Sequence, residues 1–351
     1  MQGLCYQKLE KIYQFDLARL YYESQKEAIR HVKHNVESLG IDCGFEETEA
    51  CVFTKEEKEL SKFEKERNFY HKIKVENLQT KSLPFDIPYI YALKTSGSAV
   101  FNPVRYLYHL AKTALESGVN LFEEVRAQTI TKIGEQYQVI TNKGSILANK
   151  VIVTTHYPFF VNPGFIPLKS HIEHSFVTAT KVKKTKAVQA INEETPTHSF
   201  RYYNGDESYF IYAGDSYISS NHFDIKLRKE EIENRLHTKP NYIFHTHDII
   251  PDDSIPFIGR VNKHHPNLFI ATGSNKWGMT NSVIASILIS DLVEGKESKY
   301  EKLFLPSRPI NFEKFKNFFV DGYLSGKSIL KAKLIRNQVF YQENIAITYE
   351  D

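Results

Sequence analysis

Between residues 267 and 295 the chain reads NLFIATGSNKWGMTNSVIASILISDLVEG, which sets Lys276 and the only tryptophan, Trp277, between Gly273 and Gly278. Residues 268–271 form a short apolar run, too short for a helix and closed by Gly273, and this predicts a buried strand. Beyond Gly278, Val283, Ile284, Ile287, Leu288 and Leu292 recur at helical spacing. Thr280 or Asn281 is placed to cap the start, and Gly295 followed by Lys296 suits the end. A strand that turns through two glycines into a helix aims backbone N–H groups and the positive end of the helix dipole at one point. The chemistry on offer is stabilisation of negative charge on an electron-rich ligand group. It is not a phosphate loop, because Met279 stands where that motif needs its lysine.

Other residues able to do chemistry lie elsewhere. His245 and His247 alternate along an apparent strand and share a face, with Asp248 next, and His171 and His174 offer a second pair. Such pairs can bind zinc, but fourteen histidines make coincidences common, and no metal site is assigned. Arg201, in SFRYYNG, either projects from a sheet to the substrate or pairs with a surface carboxylate. Arg260 follows an Ile-Gly pair and reads as a structural anchor. The run KVKKTK at 181–186 reads as a solvated strand edge.

The elements that must position these groups follow in chain order. Residues 6–39 carry apolar residues among charged ones and predict a helix ended by Gly40. Thr54 and Glu57 have the spacing of a capping box for a second, charged helix through Arg67. Asn102-Pro103 is a helix start, cap then proline, and Gly118 stops that helix. Residues 119–122 are a strand candidate, two more flank the turn Asn142-Lys143-Gly144, and KVIVTT at 150–155 is a buried strand. Residues 166–250 read as an antiparallel sheet with one wet face, turning at Asn204-Gly205 and Gly214-Asp215, with a charged helix at 222–238. The tail after Pro306 is basic and aromatic and reads as helical.

The class is α/β (α+β mixed). At 351 residues the chain holds more than one domain's worth of core, with 41% hydrophobic and 25% charged residues. A net charge of +3 without a compact basic patch argues against nucleic acid as a partner. No run is long enough to span a bilayer, and the first residues lack the apolar centre of a signal peptide. Cys5, Cys43 and Cys51 form no CxxC pair and no even set, so a reducing, cytoplasmic setting is expected.

Three stretches together resemble the D-amino-acid-oxidase-like family of FAD-dependent oxidoreductases, which includes glycine and sarcosine oxidases. They are FNPVRYLYHLAKTALESGVNLFEEVRAQTI, KVIVTTHYP and DDSIPFIGRVNKHHPNLFIATGSNKWGMTNSVIASILISDLVEG. The resemblance runs over nearly all of residues 1–310 and is greatest to bacterial members with an ATGFNKWGMT-type loop, which often carry a Rieske domain. It implies an incomplete FAD/NAD(P)-binding Rossmann-like layer with an inserted antiparallel-sheet substrate domain. The expected divisions are 1–98, helices and the first part of the substrate domain; 99–165 and 251–305, the FAD layer; 166–250, the substrate sheet; and 306–351, the tail. For the cofactor the resemblance implies FAD, with Arg126, Ala127, Thr155, His156, Gly259, Gly273, Gly278, Met279 and Thr280 on its binding side. Lys276, Trp277, His247 and Arg201 are expected on the substrate or catalytic side. Lys276 is either a solvated lysine or a partner for a flavin oxygen or substrate carboxylate. Trp277 is either a core plug or an aromatic wall, and His156 either sits beside the cofactor or is a hydrogen-bonded structural histidine.

The sequence departs from the family in two places. No G-x-G occurs anywhere, although relatives open with strand, G-x-G-x-x-G and helix to hold the pyrophosphate. An N-terminal truncation or shifted start is therefore expected. The tail also lacks the C-x-H and C-x-x-H pairs of a Rieske centre. Two function classes follow. One is a flavoenzyme taking a hydride from a small-molecule amine or amino-acid substrate. The other is a non-catalytic remnant, or half of an enzyme completed by a separate polypeptide that supplies the FAD-binding unit. A zinc enzyme is a distant third.

Overall fold

The computed structural model describes residues 2–76, 78–80, 83, 85, 87–218, 230, 233–234, 239–309 and 347–348. These residues fall into two compact units: 2–107, 174–247 and 347–348 in one, 108–173 and 248–309 in the other. The sequence segments expected as a helix at 222–238 and a helical tail after Pro306 lie largely outside the described residues.

The chain runs α1 (Tyr6–Ser38), β1 (Glu46–Thr54), α2 (Leu60–Lys72), β2 (Leu78–Gln79), β3 (Tyr91–Val100) and α3 (Pro103–Glu116). A meander follows, β4 (Ala127–Ile133), β5 (Gln136–Thr141) and β6 (Gly144–Ala148), then β7 (Val151–Val153). Next come β8 (Ser170–Val182), β9 (Val188–Asn192), β10 (Ser199–Asn204), β11 (Ser208–Ile218) and β12 (Tyr242–Pro251). Then β13 (Phe257–Asn262) and β14 (His265–Thr272) lead to α4 (Gly278–Val293), and β15 (Ile347–Thr348) is the last described strand. The result is the mixed α/β class expected.

In the first unit the described strands form a sheet in the order β15-β12-β8-β11-β10-β9-β1-β3-β2. Among the described residues β1 pairs antiparallel with β3, and β10 with β9 and β11, whereas β1 and β9 run parallel through Ala50↔Gln189 and Val52↔Ile191. Aromatic and β-branched residues crowd one face, where Cys51, Phe53, Phe85, Ala92, Val188 and Ala190 are buried together. Two sequence expectations fail here. Thr54 caps no helix: it ends β1, its hydroxyl bonds Glu194 Oε1 at 2.6 Å, and α2 begins only at Leu60. Gly214 is not a turn: β11 runs through it, and a Cβ there would meet His198 Nδ1 at 2.6 Å and Thr197 O at 3.1 Å. Glycine allows that close approach.

In the second unit β14 is central to the order β13-β14-β7. It pairs antiparallel with β13 (Phe257↔Thr272) and parallel with β7 (Leu268↔Val151, Ile270↔Val153). Tyr137, Val153, Ile166, Phe257, Val261, Leu268 and Ile270 form its core. Helix α4 buries Ile284, Ala285, Leu288, Ile289 and Leu292, a stripe at helical spacing. Burying each of the larger side chains contributes about 1.5–3 kcal/mol. Gly295 takes a positive φ of 76° at the end of α4, and Lys296 N donates to Asp291 O at 2.8 Å. Residues 119–122 are not a strand. Val119, Leu121 and Phe122 are exposed, and no ladder pairs this segment among the described residues.

Candidate functional site

The site is built where β14 stops. Gly273 has φ +74°, and a Cβ there would sit 2.8 Å from Pro251 Cγ and 3.3 Å from Phe257 Cδ2, so only glycine fits. The next residues turn sharply: Asn275 and Lys276 also have positive φ, 50° and 68°. For non-glycine residues such backbone costs on the order of 1–3 kcal/mol each and persists only where neighbours hold it. The neighbours are visible. Asn275 N donates to Ile249 O at 3.1 Å, Trp277 N to Ser274 O at 2.8 Å, and buried Asn281 reaches back from Nδ2 to Ser274 O at 3.1 Å.

Helix α4 then opens at Gly278 with Trp277 at the cap position and no side-chain cap. The expected caps Thr280 and Asn281 lie inside the helix instead. Asn281 is turned toward the preceding loop, which removes it as a cap. An uncapped helix start presents N–H donors and a positive dipole end, contributing about 0.3–1 kcal/mol toward an anionic group and more when partly buried.

Against this start lies a cleft of about 560 Å³, lined among others by Ile152, Thr154, His156, Ser274, Gly278 and Met279. Strand alternation explains the first two: Val153 points into the core while Ile152 and Thr154 face the cleft. A Cβ added at Gly278 would meet nothing within 4 Å, so this residue leaves open space at the cleft wall. Ser282, Ala285 and Ser286 continue a small-residue lining along α4.

Of the residues expected on the cofactor side, His156, Gly278 and Met279 line the cleft. Gly273 sits directly behind it in the turn. His156 is exposed with φ +59°, and its carbonyl accepts a hydrogen bond from Thr272 Oγ1. Thr155 turns its hydroxyl to Tyr157 O at 3.0 Å, and its neighbour Thr154 takes the cleft position. Gly259 faces α4 from β13, where a Cβ would lie 3.5 Å from Leu292 Cδ1. Thr280 is half-buried in the first turn of α4. Arg126 is exposed and its backbone is held by the hairpin, its N donating to Asn142 Oδ1 at 2.7 Å; Ala127 opens β4 opposite Thr141.

Among the residues expected on the catalytic side, Trp277 is half-buried at the helix start, so it is not a core plug. Lys276 Nζ lies 2.8 Å from Glu173 Oε2. Glu173 in turn neighbours His171, 3.4 Å away, and His171 Nδ1 is 3.8 Å from Asp252 Oδ1. The His171 hydrogen bond, with Lys276 adding to it against burial, holds the Glu173 carboxyl down to about 2, and Asp252 then Glu173 push His171 up to about 9. Sequence reasoning missed Glu173 and Asp252. Nothing in their local spacing pointed to this cluster, which joins residues far apart in the chain.

His247 and Arg201 belong to the first unit. His245 stacks on His174 at 5.0 Å with nearly parallel rings and bonds the Tyr217 hydroxyl at 2.8 Å, while His247 lies 6.0 Å from His174. Burial, with His245 and His247 adding to it, lowers His174 to about 4. These rings stack and do not converge on a point, and among the described residues no group of three or more ligand side chains is arranged for a metal. Arg201 lies on β10 opposite Gln189 and Ile211, half-buried, and burial depresses its pKa. Arg260 bonds Glu301 Oε1 at 2.8 Å and Leu292 O at 3.3 Å, which is the anchoring role read from the sequence.

Residues 2–292 match the family model "DAO: FAD dependent oxidoreductase". The chain is 33% identical over 301 residues to a putative Rieske 2Fe-2S iron-sulfur protein of Bacillus subtilis, an alignment covering 83% of this chain and 58% of that protein. It therefore spans somewhat more than half the length of that relative. Among solved structures, glycine oxidase from Geobacillus kaustophilus superposes with a TM-score of 0.68 at 17% identity, covering 84% of each chain. L-proline dehydrogenase from P. horikoshii gives 0.67 at 18% identity and 83% of each chain. At these identities the two structures speak for the fold alone. Among the described residues no helix is long and apolar enough to cross a membrane.

Proposed function

Since the chain belongs to the DAO family of FAD-dependent oxidoreductases, we propose that it oxidises the carbon–nitrogen bond of a small amine or amino acid, with FAD held in the cleft at the start of α4. The observation that carries this reading is the uncapped helix start behind Gly278, where a missing side chain leaves room for a flat ligand. The residues fit the group. Ile152 and Met279 offer apolar contact, Thr154, His156 and Ser274 offer hydrogen bonds, and the α4 dipole favours negative charge on a ring edge. When bound, the flavin supplies the two-electron acceptor for the C–H bond beside nitrogen. This chain's part is to bind, to orient and to stabilise charge. The names of the superposed relatives, a glycine oxidase and an L-proline dehydrogenase, support an amino acid as the substrate class.

A second reading is that another polypeptide completes the FAD site. Its support is β7: a three-residue strand with parallel pairing on one side only among the described residues, and with Ile152 49% exposed. Parallel strands are normally covered on both faces and paired within the sheet. FAD titration followed by flavin fluorescence tests both. Binding to the chain alone supports the first reading. Binding only after co-expression with a strand–G-x-G-x-x-G–helix segment supports the second. No binding under either condition overturns the assignment of the cleft to FAD.

A further inference from the structure

Asp252, His171, Glu173 and Lys276 stand in a row, each carboxylate beside a basic side chain at 2.8–3.8 Å. They come from three places within the second unit: the start of β8, the residue after β12, and the turn ahead of α4. Glu173 and His171 are about one-quarter and one-third exposed, so water screens the row only in part. At neutral pH both carry charge.

The turn needs such a hold. Asn275 and Lys276 have successive positive φ values, and neither has glycine's freedom to adopt them without strain. The Asn275 backbone is fixed by Ile249 O, and its side chain reaches Ser254 O at 3.4 Å. Lys276 is fixed through its ammonium on Glu173. On either side of this pair stand Ser274 and Gly278, both lining the cleft, whereas Lys276 does not line it. The ammonium is thus engaged by a protein carboxylate instead of being directed at a cleft ligand.

We propose that Glu173 is a positioning residue: by pairing with Lys276 it holds Asn275 and Lys276 in their left-handed conformation and so fixes the uncapped start of α4 at the cleft. Glu173 does not itself line the cleft. The effect on cofactor affinity rests on the flavin reading above, but the effect on the turn does not.

Trp277 follows Lys276 and is the only tryptophan in the chain, so its emission reports this turn alone. Glu173→Gln is expected to raise acrylamide quenching of Trp277 about twofold, as a local opening would, with the overall fold retained by circular dichroism. In an FAD titration the same variant is expected to bind about tenfold more weakly, equal to about 1.4 kcal/mol. Lys276→Met breaks the pair from its more exposed end and is expected to give the same two changes, which keeps the test decisive if Glu173→Gln folds poorly. Lys276→Arg keeps a cation for Glu173 and is expected to return quenching toward the wild-type value. Unchanged quenching in both Glu173→Gln and Lys276→Met overturns the proposal. A loosened turn with unchanged FAD affinity overturns its consequence for the cofactor. A loosened turn in a chain that binds no FAD, either alone or co-expressed with the strand–G-x-G-x-x-G–helix segment, leaves Glu173 as the brace and removes the flavin reading instead.

Discussion

Arg308 closes a two-pronged ion pair on Asp253, with Nη2 2.8 Å from Oδ1, while its guanidinium lies 4.1 Å from the centroid of Phe257. Its Nη1 also donates to Pro256 O at 3.0 Å. The side chain is 10% exposed and its partner 18%, so this is a largely desolvated pair. It pins the last described residues before position 310 to the loop that leads into β13. Removing one partner strands the other: Arg308→Met is expected to destabilise the chain by about 3 kcal/mol, read as a shift in the urea midpoint. Arg308→Lys is expected to recover little, because a single ammonium cannot reproduce the fork or lie flat over the ring.

Gly273, which follows β14, and Gly278, which opens α4, are expected to fail differently. Gly273→Ala strains a positive φ and drives a methyl group toward Pro251, costing about 1–3 kcal/mol of stability. Gly278→Ala meets nothing and replaces glycine at a helix start, so stability is expected to stay level or rise slightly. The larger Gly278→Leu then places its side chain in the open space of the cleft wall and is expected to weaken FAD binding with the melting temperature retained. Thermal melts paired with FAD titration separate the two. Loss of stability in Gly278→Ala contradicts the open space seen there.

Glu66 sets a pH dependence in the first unit. It is buried on α2 and accepts the Tyr6 N–H at 3.2 Å and the Gln7 N–H at 2.8 Å, at the start of α1. Burial, opposed by those two hydrogen bonds, raises its pKa from 4.5 to about 8. The folded state therefore holds a proton that the unfolded chain has lost. The sign follows: this contribution is complete below the unfolded value of 4.5 and declines as pH rises to about 8, by at most about 1.4 kcal/mol per pH unit. Glu66→Gln cannot ionise, so its stability profile is expected to be flatter across that window. Urea denaturation at pH 5, 7 and 9, as round settings within and beyond it, checks this. Parallel profiles for the two proteins would remove Glu66 as the source.

Gly214 supplies a fourth expectation. His198 Nδ1, which bonds the Tyr212 hydroxyl at 2.6 Å, occupies the space where a Cβ would go. Gly214→Val is expected to cost about 1–3 kcal/mol by overpacking, with a lower melting temperature and weakened His198–Tyr212 pairing seen in histidine NMR shifts.

The sequence was legible where local chemistry decides the outcome. Asn102-Pro103 is a helix start because Asn102 Oδ1 accepts the N–H groups of Val104 and Arg105 at 3.0 and 3.1 Å, all within four residues. The Asn142-Lys143-Gly144 hairpin and the strand–glycine–helix run from β14 into α4 are equally local. Where partners are distant, spacing carries no signal. Gly214 reads as a turn until His198 is known to lie against it. Residues 119–122 have the composition of a strand, with no neighbour to pair with among the described residues. Lys276 was visible as a cation on the turn, but its partner Glu173 is more than a hundred residues earlier, and nothing in either neighbourhood couples them.

The parallel pairing of β1 with β9 also governs the order in which the molecule can be assembled. Thr54 at the end of β1 bonds Glu194 across 140 residues of chain, and β3 lies on the other side of β1. As the polypeptide leaves the ribosome, α1 and α2 emerge long before β9 can join the sheet they pack on. The strands β1, β3 and β2 cannot be joined to the rest of the sheet until residues 188–192 have been made, and contacts of such sequence separation form slowly. During that interval β1 has β3 on one edge and no strand on the other, and it is then that a chaperone has most to offer this chain.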